Sequence, residues 1–127
     1  MMGKRQVTGW KLDAHDRARL LARFPPIFPD VVADHVTLHT GTDETTPLPT
    51  EVRGEIVGEI DDAAGVQALV VRIGNTTARS DGSTYHITWS LDRSRGRSAV
   101  ESDTVIARLG WRSLAEPLPI ELAPARF

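Results

Sequence analysis

Two short stretches of this chain carry residue types from which a reaction at phosphorus can be built: His35-Val36-Thr37-Leu38 and His86-Ile87-Thr88-Trp89. Each reads His, apolar, Thr, apolar, and the two copies fall in opposite halves of the 127 residues. On a β-strand, residues i and i+2 share a face about 6.6 Å apart, so each motif sets an imidazole beside a hydroxyl while the intervening apolar side chains anchor the strand. Imidazole titrates near an unperturbed pKa of about 6.5, so one copy can accept a proton from an attacking hydroxyl while the other protonates the departing oxygen. The two Thr hydroxyls can donate to the non-bridging oxygens of the group between them. A tetrahedral phosphate suits that set, and a cyclic phosphodiester adds a strained ring for the pair to open. His35 and His86 are therefore the candidate catalytic pair, and Thr37 and Thr88 the candidate phosphate binders. Reversal of the same chemistry joins ends, so the motifs leave the direction open.

Further candidates surround the motifs. Strict alternation puts His39 on the face of His35 and Thr37, as a possible substrate contact, although four strand residues span about 13 Å. That separation, and the lack of any His-x-His, argues against a shared ion, so neither a metal nor another cofactor is expected. Of the aromatics, Tyr85 and Trp89 alternate away from His86, which leaves Trp10 as the candidate for stacking on a base. Arg79, before the second motif, is a possible phosphate contact, and Arg93, Arg95 and Arg97 follow it.

The elements that must position these residues can be read from period and punctuation. Gln6 to Leu12 reads as a strand, and Asp13 as the N-cap of a helix from Ala14 to about Phe24, which Pro25-Pro26 stops. Val31 to Thr40 alternates as one strand carrying Ala33, His35, Thr37 and His39 on a common face. Thr40 to Arg53 has loop composition and a length more often functional than decorative. Gly54 to Ile60 and Val66 to Ile73 read as a hairpin turning at Asp61, Asp62 and Gly65, and Thr84 to Leu91 as the strand of the second motif. Ser98 to Arg108 suits a short helix, and the proline-bracketed Pro117 to Ala123 an edge strand. Strands dominate, so the expected class is α+β, around a largely antiparallel sheet.

Composition narrows the chemistry. With 40% apolar and 25% charged residues, 127 residues make one globular domain, so any site is built within a single core. The chain has no cysteine, which removes disulfides, thiolate catalysis and cysteine-ligated metal. A net charge of −2 excludes a general nucleic-acid coater, so RNA would be met locally. No apolar run approaches the roughly 18 residues that span a bilayer, and Met1 to Arg5 leads into no hydrophobic segment; a cytoplasmic protein is expected.

The paired tetrapeptides match in full the signature of the two-histidine (2H) phosphoesterases, which the chain resembles. Asp34-His35-Val36-Thr37-Leu38, and Gly82-Ser83-Thr84-Tyr85-His86-Ile87-Thr88 behind Ala68-Leu69-Val70-Val71, look most like the cyclic phosphodiesterase modules of plant and fungal tRNA ligases and their bacterial relatives. The resemblance spans about Val7 to Ile106. It implies a bilobal α+β fold with pseudo-twofold symmetry, with one or two helices here, and a cleft holding both motifs. It also implies cyclic phosphate substrates, commonly 2′,3′-cyclic phosphate ends of RNA or nucleotides; no obligate protein partner is evident in the sequence. The motifs here stand closer together in the chain than is usual in that family. Competing readings are a module that binds phosphorylated RNA ends without turnover and a hydrolase of another cyclic nucleotide or oligonucleotide signal.

Overall fold

In the computed structural model, residues 6–127 are described; Met1 to Arg5 lie outside them. Strand β1 (Gln6–Leu12) buries Thr8, Trp10 and Leu12 by simple alternation. It leads into helix α1 (Ala14–Arg23), whose first turn is capped by the Asp13 carboxylate accepting the Asp16 N–H at 3.0 Å. Leu20 and Phe24 form its buried stripe. Phe24 donates its N–H to the Leu20 carbonyl, and the prolines that follow cannot extend the ladder. The remaining elements are β2 (Asp30–Val31), β3 (His35–Thr42), β4 (Arg53–Asp61), β5 (Val66–Arg72), β6 (His86–Leu91), α2 (Glu101–Leu109) and β7 (Arg112–Arg126).

The strands form one seven-stranded sheet in the order β2-β6-β5-β4-β7-β1-β3, with every pairing antiparallel. The class is α+β, as expected. Alternation sorts the sheet's two faces into two cores. Leu69 and Val71 of β5, Ile87 and Trp89 of β6 and Val36 of β3 join α1 in one cluster, while Val66, Ala68 and Val70 meet Val105 and Ile106 of α2 in the other. Because β5 is covered on both faces, its Ala68 to Val71 segment is a continuous apolar run without visible alternation.

Two expectations are corrected. Val31 to Thr40 is not one strand. The chain pairs with β6 through Val31, and on through Val32 N–H to Trp89 O and Ala33 N–H to Thr88 O; after Ala33 it leaves to pair with β1 as β3. The break falls at Ala33, whose backbone takes a φ of +45° and whose side chain, expected on the face of His35, is fully buried in the core. Packing of its methyl group into that core offsets a backbone conformation that L-residues disfavour. The second correction concerns the last strand, which is a central one of fifteen residues. Its register explains how it holds three prolines: Arg112 to Glu121 pairs with β4, and Leu122 to Arg126 with β1. Pro119 and Pro124 each sit where β7 has a ladder partner on one flank and the missing N–H can face the other, while Pro117 falls in the irregular stretch between Ser113 and Leu118 that has no ladder partner on β4.

Candidate active site

β3 ends the sheet on one side and β6 lies next to last on the other, yet they meet. The chain that hydrogen-bonds to β6 as far as Ala33 diverges from it as β3, and His35 and His86 stand at the opening of that fork. A cleft of about 240 Å³ occupies the opening, lined by His35, Thr37 and Thr40 of β3, His86 and Thr88 of β6, Arg79, and Ala99, Val100 and Asp103 around the start of α2. Period 2 explains the facing: Val36 and Ile87, the apolar residues inside the motifs, are fully buried in the α1 core, which turns the His and Thr on either side of each into the cleft.

The two imidazoles are held differently. His86 is 10% exposed and places Nδ1 at 2.8 Å from the Thr84 carbonyl. A carbonyl only accepts, so Nδ1 carries the proton, and in the neutral ring Nε2 is left with a free lone pair. Burial pushes the imidazole below the usual histidine value; the Thr84 hydrogen bond and the Asp103 carboxylate oppose that, and the charges of Arg79 and His35 reinforce it. His35 is 31% exposed and donates from Nδ1 to the Asp34 carboxylate at 3.1 Å. Burial alone would raise the Asp34 carboxyl, but hydrogen bonds from Lys11 and His35 hold it below the ordinary carboxylate value. The Phe127 ring packs against the His35 ring at 4.6 Å, and Lys11 Nζ lies over the Phe127 ring, 4.5 Å from its centroid.

The hydroxyls differ too. Thr37 is half-buried on the cleft wall, opposite Gly9 in the β1 ladder. Thr88 is buried, and its hydroxyl lies 2.9 Å from that of Ser102 in α2 and 3.4 Å from the Ala99 carbonyl. It therefore ties β6 to the helix, and can donate toward the cleft only when Ser102 donates to it and its own proton turns from the Ala99 carbonyl.

Arg79 lines the cleft as a buried fork. Its Nε and Nη2 donate to the Asp81 carboxylate at 3.2 and 3.0 Å, and Nη2 to Asp103 at 3.1 Å. Trp10 requires a correction: it is 1% exposed, donates Nε1–H to the Glu51 carbonyl and packs edge-on against Tyr85, so no base can reach it. His39 is corrected as well. The β1 ladder passes from Gly9↔Thr37 to Thr8↔His39, so Leu38 is an extra residue that breaks the alternation. Thr40 lines the cleft in place of His39, which is exposed and 3.5 Å from the Ser80 hydroxyl. Arg95 and Arg97 point elsewhere, Arg95 to Asp92 and Arg97 to Asp62 and Glu101.

No family model, curated protein or solved structure matches this chain. Two larger depressions of about 350 Å³ lie elsewhere, lined by Asp62, Arg97 and Arg108 and by Asp16, Arg53 and Glu121. Neither contains a histidine, the only side chain whose unperturbed pKa suits proton transfer near neutrality. Sequence reasoning missed Asp103 and Ser102, since nothing in the local pattern of α2 marks residues that meet a strand from another part of the chain. Asp34 was visible as the neighbour of the first motif. Among the described residues, no three His, Asp or Glu side chains cluster as metal ligands would, and no helix is long and apolar enough to cross a membrane.

Proposed function

We propose that this chain is a metal-independent phosphodiesterase of the two-histidine kind that opens cyclic phosphates, its substrates being 2′,3′-cyclic phosphate ends of RNA or nucleotides met in the cytoplasm. The observation that carries the reading is the convergence of both His-x-Thr motifs, from strands on opposite sides of the sheet order, on one cleft of about 240 Å³. In this reading the two strands are pseudo-equivalent halves of a bilobal site, each offering an imidazole backed through Nδ1 and a Thr two residues on.

The tautomers suggest the division of roles. His86, buried and with Nε2 free in its neutral form, accepts the proton of a water as that oxygen attacks phosphorus. The ring P–O bond breaks, and the leaving oxygen takes a proton from Nε2 of His35, whose Nδ1–H remains on Asp34. Water and a cyclic diester thus give a ring-opened monoester. His86 finishes protonated and His35 neutral, and exchange with solvent resets both. Thr37 donates to a non-bridging oxygen, as does Thr88 when Ser102 supplies its own proton.

The test is incubation with a panel of cyclic mono- and oligonucleotides followed by phosphorus NMR. A 2′,3′-cyclic resonance should convert to a single monoester resonance. His35→Ala and His86→Ala should each slow this by about a hundredfold or more, the loss expected for a general acid or base. As members of one unit, the two changes together should be little worse than the worse single change. Tight binding of cyclic ends without turnover would overturn the reading in favour of a binding module.

A further inference from the structure

Each histidine of the cleft has a carboxylate behind its Nδ1, and each of those carboxylates is shared with a cation. Behind His35 stands Asp34, at 3.1 Å from the ring nitrogen and 2.5 Å from Lys11 Nζ. Behind His86 stands Asp103, whose Oδ1 is 3.6 Å from Nδ1 while its Oδ2 accepts from Arg79 at 3.1 Å. The four partners come from four places: Lys11 from β1, Asp34 from the turn before β3, Arg79 from the loop before β6, and Asp103 from α2. One contact is incomplete. Asp103 Oδ1 is buried and has no hydrogen-bond partner, because the Nδ1–H it faces is given to the Thr84 carbonyl. A carboxylate oxygen left unpartnered against an imidazole is costly in the resting state and becomes favourable once the ring gains a positive charge.

We propose that Asp103 and Asp34 are positioning residues that stabilise the charged forms of His86 and His35, and that Arg79 and Lys11 limit the strength of that stabilisation. The proposal rests on the phosphodiesterase reading for its role in turnover, but not for its effect on the histidines. The charged groups facing His86 are Asp103 from α2, Arg79 with Asp81 behind it, and His35 across the cleft. Those facing His35 are Asp34, Lys11 and His86. Arg79 is itself paired with two carboxylates, Asp81 at 3.0 Å and Asp103 at 3.1 Å.

The test follows the ring protons of His35 and His86 by NMR titration of the intact protein, without substrate. Asp103→Asn, which keeps the side chain's shape and an acceptor for Arg79, should lower the pKa of His86 by about one unit. Asp34→Asn, on the other side of the cleft, should leave the His86 titration unchanged and slow turnover. Arg79→Lys, which weakens the fork but keeps a cation, should move His86 less than Asp103→Asn does. In assays on 2′,3′-cyclic nucleotides, the acid limb of the kcat/KM profile of Asp103→Asn should move down with the His86 titration. If Asp103→Asn changes thermal stability but leaves the His86 titration where it was, Asp103 only anchors α2 and the proposal fails. A shifted titration in a protein that turns over no cyclic phosphate would retain the carboxylate role and refute the phosphodiesterase reading instead.

Discussion

Thr37 and Thr88 occupy equivalent places in their motifs, but their surroundings divide their tasks. Thr37 faces the cleft with the β1 ladder behind it, and its hydroxyl holds no other element in place. Thr88 is buried with its hydroxyl against that of Ser102, itself fully buried. Removing the Thr88 hydroxyl therefore leaves Ser102 without that partner, a loss of about 1 to 3 kcal/mol for a buried polar group. We expect Thr37→Val to reduce turnover with the urea midpoint unchanged, and Thr88→Val to reduce both. Thr→Ser at either position should restore most of what is lost. Equal destabilisation by the two valine variants would contradict the separate assignments.

At the scale of the elements, the cleft depends on how closely β1 can approach β3. Gly9 makes this approach possible, since a Cβ there would lie 2.1 Å from the Val36 carbonyl oxygen and 3.0 Å from the Leu38 nitrogen. Those are backbone atoms of the first motif and cannot swing aside as a side-chain tip would. Gly9→Ala must displace β3, shifting His35 and Thr37 relative to His86 and Thr88 of β6. Overpacking of this kind typically costs about 1 to 3 kcal/mol, and a displacement near 1 Å at a catalytic group is enough for about a hundredfold loss of rate. Gly9→Ala should therefore lower the melting temperature and slow cyclic-phosphate turnover together. Gly41→Ala, at the exposed end of β3 where the added carbon meets nothing within 4 Å, should leave turnover near normal despite its positive φ of 66°. Loss of activity in both variants alike would show that the β1–β3 approach is not what sets the cleft.

For the whole molecule, the burial of His86 ties folding to pH. Its proton affinity is lower folded than unfolded, so between the ordinary value near 6.5 and the lower folded value the unfolded chain binds a proton that the native protein does not. Stability contributed by keeping this ring neutral is present above that window, declines as pH falls through it, and levels off below the folded value. We expect wild type to lose stability relative to His86→Gln as pH is lowered through this range in paired denaturant titrations. A difference that stays constant with pH would mean that the imidazole is not desolvated in the native state.

What the amino-acid sequence determined by itself is local. The strand at Gln6–Leu12, the helix capped by Asp13 and stopped before Pro25, the β4–β5 hairpin and the His-x-Thr facing of each motif all follow from interactions among residues close in the chain, where periodicity and capping operate. The tertiary structure decided what those strands meet. Whether Pro117 to Ala123 lies at an edge, whether Trp10 sees solvent, whether His39 keeps the face of His35 past a bulge, and that Asp103 stands behind His86 are all matters of pairing between segments distant in sequence. A strand's period specifies which residues share a face, whereas the partner on either side is chosen by burial summed over the whole sheet. The Ala33 break shows the division clearly: alternation continues through it in the sequence, but the sheet requires the chain to leave β6 for β1 there, and that departure opens the cleft.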